Sequence, residues 1–155
     1  MTYDFAAQLA KGEQAEAQLD RFFADRFDIT KATREEQRQG IDRHFRNKAD
    51  GRTFRIEYKA DERASATGNA FVETMSVDSA GKQGWAYTSQ ADLLLYYLPK
   101  DLLVYVIRLK DLRQQLAGWR ATYPQRKADN GSYATWGVLV PLDEFEDIAK
   151  AVISL

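Results

Sequence analysis

The sequence predicts an α/β protein whose helices flank a central mixed β-sheet. Three observations carry this. An amphipathic helical pattern near the start is followed by three strand-like segments. Two near-continuous apolar runs, DLLLYYLP and LLVYVIRL, read as strands covered on both faces. Two late segments then show helical spacing around the strand-like TWGVLVP. The chain has 155 residues, of which 45% are hydrophobic, enough for one core. It contains no repeat, linker or low-complexity tract, so residues 1–155 are expected to form one domain.

The elements follow in order. A first helix begins at Tyr3 or Phe5 and runs to Phe27, with Leu9, Leu19, Phe23 and Phe27 near helical spacing. REEQRQG leads to a break at Gly40. IDRHFRN is a short strand, KADG a hairpin turn in which Asp-Gly suits positive φ, and TFRIEYKAD the returning strand. ERASATGN is a loop of small residues, and AFVETMSV a third strand. Residues 78–90 form a glycine loop with room for one short helix. The two apolar strands follow, joined by a turn at Pro99-Lys100-Asp101. KDLRQQLAGWR is a helix with Leu112, Leu116 and Trp119 on one stripe. ADNGSY is a connector and TWGVLVP a strand. LDEFEDIAKAVISL is expected to be a closing helix bearing Phe145, Ile148, Ala149 and Val152.

Composition excludes several chemistries. There is no cysteine, hence no disulfide, thiolate metal site or cysteine nucleophile. The single histidine, His44, argues against histidine-rich zinc sites and serine–histidine schemes. No apolar run is long enough to span a membrane and the N-terminus lacks a signal pattern, so a cytoplasmic location is expected. Net charge is −1, so a polyanion must be met by a local patch. Residues 108–127 supply one candidate, with Arg113, Arg120, Arg126 and Lys127. A solvated helix face is the plainer reading of that run.

The strand TFRIEYKAD poses the functional question. Phe54, Ile56 and Tyr58 alternate with Arg55, Glu57 and Lys59, so Glu57 and Lys59 stand side by side on one face. A surface ion pair is one reading, an active site the other. With the turn at 48–51, the preceding strand runs antiparallel and Asp42 falls roughly opposite residues 57–59. Two adjacent carboxylates repel unless a cation lies between them. Oxygen ligands favour Mg²⁺ or Mn²⁺ over zinc. Glu16 falls within the stripe Leu9, Gly12, Leu19 and Phe23 of the first helix, a costly place for an acid unless it is paired or bound to metal. Gly12, one turn earlier, leaves room for close approach.

Asp42 followed by Glu57-Tyr58-Lys59 resembles the signature of the PD-(D/E)XK nuclease superfamily, with Ile41 where the motif has proline. KGEQAEAQL, with Gly12 and Glu16, resembles the first helix of its archaeal Holliday-junction-resolvase branch. The element order fits that fold over residues 5–98. The resemblance implies a restriction-endonuclease-like sandwich and a Mg²⁺-dependent endonuclease acting on DNA. It implies Asp42 and Glu57 as metal ligands, Glu16 as a ligand through water or to a second ion, and Lys59 as a catalytic group. One such site per chain requires a homodimer to cut both strands together. A non-catalytic nucleic-acid-binding or interaction module retaining the fold is the alternative. It would be expected to lose Asp42, Glu57 or Lys59, and none is lost.

Other residues read more plainly. Glu73 fits a strand end facing solvent better than a partner for Lys59. Trp85 and Tyr87 fit the core better than a stacking surface, and His44 fits the surface. Glu57→Ala is expected to remove a ligand but little packing.

Overall fold

The computed structural model describes residues 5–77, 80–129, 131 and 133–155. A helix start at Tyr3, Asp78 and Ser79 of the glycine loop, and Asn130 and Ser132 of the connector lie outside them. In chain order the elements are α1 (Phe5–Phe23), β1 (Phe27–Lys31), α2 (Arg34–Arg38), β2 (Arg43–Asn47), β3 (Thr53–Ala60), α3 (Ala64–Thr67), β4 (Asn69–Val77) and β5 (Lys82–Gln83). There follow α4 (Trp85–Thr88), β6 (Leu93–Leu98), β7 (Leu103–Arg108), α5 (Leu109–Thr122), β8 (Gln125–Asp129), β9 (Ala134–Pro141), α6 (Leu142–Ile148) and β10 (Ala151–Ser154).

The central sheet is mixed, with six strands in the order β1-β2-β3-β6-β7-β10. Only β3 and β6 run parallel; the other neighbours are antiparallel. Asp50-Gly51 makes the β2–β3 turn as expected: Gly51 has φ of 75° and its N–H reaches Asn47 O at 2.8 Å. Side chains alternate along β6, so Leu95 and Tyr97 enter one core while Leu94, Tyr96 and Leu98 enter the other. The first core is closed by Leu19 and Phe23 of α1 against Phe45, Ile56 and Tyr58. The second holds Leu112, Leu116 and Trp119 of α5 and Phe145 of α6.

A second sheet, β5-β4-β9-β8, covers this second core through Val72, Val138 and Val140. The sequence showed β4 and β9 but not the pairing that makes them a separate layer. β8 lies in the basic run, where Arg126 and Ala128 turn inward between exposed neighbours.

Two helix ends differ from expectation. The first helix stops at Phe23, and Phe27 opens a strand. Phe27 still packs on the helix: its ring centroid lies 6.3 Å from Phe23 and 5.2 Å from Phe45. One apolar contact thus satisfies both a helical and a strand spacing. The closing helix ends at Ile148, after which Ala149 takes an extended conformation. Ala151–Ser154 then pairs with β7, because β-branched Val152 and Ile153 suit an open sheet edge. The stripe on α1 also shifts: Leu9 is 52% exposed, and Ala15 is buried with Leu19 and Phe23. Among the described residues no helix is long and apolar enough to cross a membrane.

Candidate active site

The β2–β3 register sets the site. Arg43 pairs with Ile56, which places Asp42, just before β2, across from Glu57. The Asp42 N–H donates to Ile56 O at 2.7 Å, and the Tyr58 N–H donates to Asp42 Oδ2 at 2.7 Å. Asp42 therefore brackets Glu57 along β3. Here β3 outruns β2, and the Asp42 side chain supplies the acceptor that the ladder no longer offers Tyr58.

Glu57 is 3% exposed. Its Oε1 lies 3.4 Å from Lys59 Nζ, while its Oε2 is buried without a hydrogen-bond partner. Burial pushes the Glu57 carboxyl above its ordinary pKa, and the Asp42 charge adds to this. Lys59 and, more weakly, the Ser89 hydroxyl oppose it. The Ser89 hydroxyl also donates to Gly40 O at 3.1 Å, so its hold on Glu57 is weak. The expectation that Glu57 carries little packing is corrected: both faces of β3 are covered here, and truncation opens a hole.

Lys59 lies deep within the outline of the protein, yet 38% of its side-chain surface is open. It faces a cleft of about 830 Å³ between the two sheets. Its ammonium sits 5.8 Å from the Trp85 ring centroid. Burial alone lowers a lysine pKa, but Glu57, Glu73 and Asp42 outweigh it and hold Lys59 protonated.

Glu73 turns into this cleft rather than to solvent. Burial raises its carboxyl, against the opposing pull of Lys59 and of the Trp85 N–H. Gly84 makes the approach of α4 to β4 possible, since a Cβ there would meet Glu73 O at 2.5 Å. Trp85 is a core residue, as expected, with its ring toward Lys59.

Glu16 finds a different partner. Its Oε1 lies 3.3 Å from Arg43 Nη1. Arg43 is 5% exposed and shares the face of Tyr58, with its guanidinium carbon 5.3 Å from that ring's centroid. Arg43 also donates to Asp20 through Nε at 3.1 Å and to Asp42 O at 2.9 Å, and the Tyr58 hydroxyl donates to Asp20 at 2.8 Å. Burial and the Asp42 and Asp20 charges raise the Glu16 carboxyl, and Arg43 opposes them. The structure thus brings Asp42, Glu57 and Lys59 together and ties Glu16 to Arg43. Among the described residues no three of His, Asp and Glu are grouped to hold an ion. Gly12 lines the cleft, with nothing within 4 Å of where a Cβ would stand.

Arg43 escaped the sequence reading, and with it the pairing of Asp20. The signal was present, since Arg43 lies two residues from Phe45 and so shares its apolar face, where it needs an acid. His44 is a surface residue as expected, 2.7 Å from Glu36.

The basic run does not form one surface. Arg113 is spent on the backbone, donating to Ala86 O at 3.1 Å and to Ser89 O. Arg108 pairs with Asp111 at 2.8 Å. Arg120 donates to the Tyr87 hydroxyl at 2.7 Å, whereas Arg126 lines the cleft from β8.

A scan against protein-family models finds no match, and neither the curated proteins nor the solved structures yield one.

Proposed function

We propose that the chain is a metal-dependent DNA endonuclease of restriction-endonuclease-like fold, hydrolysing phosphodiester bonds at Asp42, Glu57 and Lys59. The observation that carries this is the Glu57 carboxylate, buried beside Asp42 with one oxygen unpartnered. A structural ion pair satisfies both oxygens or stays wet. Glu57 does neither, and its charge raises the cost of leaving Asp42 alongside. A hard divalent cation held by the two carboxylates supplies the missing partner, so the residues present fit Mg²⁺ or Mn²⁺. The helix-then-three-strands order and the acid–acid–lysine placement support the resemblance to PD-(D/E)XK nucleases.

Such an ion, when bound, lowers the pKa of a water and polarises a phosphate oxygen. The chain's own residues define the rest. Asp42 and Glu57 bind as carboxylates, and the Lys59 ammonium helps keep Glu57 ionised. Lys59 itself is held protonated by three acids. Its ammonium, open to the cleft beside Glu57, is placed to donate to a nonbridging phosphate oxygen or to the attacking water. Glu16 acts through Arg43, which holds the Asp42 carbonyl. One site per chain cuts one strand, so a double-strand cut needs a homodimer.

The test is a cleavage panel of linear, branched and single-stranded DNA with Mg²⁺, Mn²⁺ or chelator, using wild type, Asp42→Asn and Glu57→Gln. Divalent-dependent cleavage is expected for the wild type only. DNA binding without cleavage under every condition would replace the proposal with a non-catalytic nucleic-acid-binding module.

A further inference from the structure

The wall of the cleft opposite Lys59 has a construction of its own. Glu73, Gly137 and Arg126 stand in register across β4, β9 and β8. Phe71, two residues before Glu73, points to the same side. Its ring lies on Gly137, since a Cβ there would meet ring atoms at 2.6 Å. The absence of a side chain at 137 lets the ring lie against the strand. Arg126 reaches the same ring, its guanidinium carbon 5.4 Å from the centroid. Phe71 is only partly buried and lines the cleft.

Charge points the same way. The cleft is lined by five cations, Lys11, Lys59, Arg63, Lys100 and Arg126, against the acids Asp61, Glu62 and Glu73. Two of these acids are engaged within the protein. Asp61 accepts the Tyr96 hydroxyl and the Ala64 N–H, and Glu62 pairs with Lys11 at 3.3 Å. In a chain of net charge −1 the lining thus carries two more cations than acids, and Lys100, Arg63 and Arg126 are the cations not paired above. The volume, about 830 Å³, is that of a small-molecule pocket. That scale suits one unpaired nucleotide better than a duplex.

We propose that this cleft seats single-stranded DNA, with a base stacked on Phe71 beside Arg126 and the backbone led to Lys59. Aromatic rings and guanidinium planes are the surfaces on which unpaired bases stack. This deepens the endonuclease reading by naming its substrate class, a strand that is unpaired where it is cut.

The experiment measures binding without chemistry. Fluorescein-labelled oligothymidine, and its duplex with oligoadenosine, are titrated by anisotropy in EDTA with wild type, Phe71→Leu, Phe71→Trp and Arg126→Gln. The single strand is expected to bind more tightly than the duplex. Phe71→Leu, which keeps apolar bulk in the sheet, should weaken it at least about fivefold, the lower end for loss of one base stack. Phe71→Trp should retain binding. Arg126→Gln should also flatten the log–log salt slope by about 0.7, one single-strand phosphate contact. Melting curves establish that each variant is folded. Equal or tighter binding of duplex, or unchanged single-strand binding by folded Phe71→Leu and Arg126→Gln, overturns the inference. If the wild type also cleaves, the endonuclease reading survives that result. Conversely, single-strand binding lost in both variants, with no cleavage under any metal, leaves the cleft as a binding site and removes the nuclease.

Discussion

The carboxylate of Asp42 accepts the backbone N–H of Tyr58 at 2.7 Å, one residue past Glu57. One side chain therefore serves both the sheet and the candidate metal site, and substitution separates the two roles. Asp42→Ala leaves the Tyr58 N–H without its acceptor and should cost about 1–3 kcal/mol. Asp42→Asn keeps an acceptor oxygen and should cost less. Both should lose Mn²⁺ binding. Urea unfolding in EDTA reads the first effect, calorimetric titration the second. Equal stability losses in the two variants would show that the hydrogen bond does not matter.

Glu57 gives a pH signature in the metal-free protein. The unfolded chain releases this proton near the ordinary glutamate value of about 4.3. The folded chain releases it at higher pH, because burial disfavours the anion. Between the two values the native state holds a proton that the unfolded state has lost. The group therefore favours folding at low pH, and that support drains as pH rises through the folded value. Glu57→Gln has no such dependence. The variant should gain on the wild type in melting temperature as pH rises, and the gain should shrink toward pH 4. Glu16 and Glu73, also raised, are common to both proteins and cancel. A gap that is constant with pH contradicts the burial argument.

Ile56→Ala separates packing from ligation. Ile56 is fully buried on the α1 side of β3. Its truncation should cost about 2–5 kcal/mol. Asp42 and Glu57 are untouched, so Mn²⁺ affinity at low temperature should stay within about threefold, a shift under 1 kcal/mol. Chemical denaturation and metal titration on one preparation check both halves.

Arg43 should be among the most sensitive charged positions. It is 5% exposed and holds Asp20 at 3.1 Å and Glu16 at 3.3 Å. Removing one partner of a buried charge cluster costs about 3–5 kcal/mol. Arg43→Ala should approach that figure, whereas Arg120→Ala, at an exposed contact, should fall within about 1 kcal/mol. Similar losses in the two would mean that the Arg43 cluster is not the anchor described.

The central part of the fold was legible because its signals are local. Alternation in TFRIEYKAD, the Asp-Gly turn and the doubly apolar runs each fix one strand. Asp42 opposite Glu57 followed from hairpin arithmetic alone. What remained hidden depends on pairing between distant segments. β8 reads as a basic run until β9 lies beside it, and AVIS reads as the end of a helix until β7 offers an open edge. Glu16 read as an acid needing a partner because no local pattern shows Arg43 reaching it from β2. Glu73 was misplaced for a similar reason: its surroundings come from a sheet that no local pattern announces.

The two sheets are interleaved along the chain. β4, in the second sheet, lies between β3 and β6, the parallel neighbours of the first, and it waits for β9, where Val72 meets Val138. Neither layer can be completed from one contiguous stretch. Such long-range pairing raises contact order and slows folding. The cleft wall around Phe71 is therefore complete only when β9 brings Gly137 and β8 brings Arg126 beside β4. A segment excised around the motif would carry the acids and the lysine without the surface that faces them.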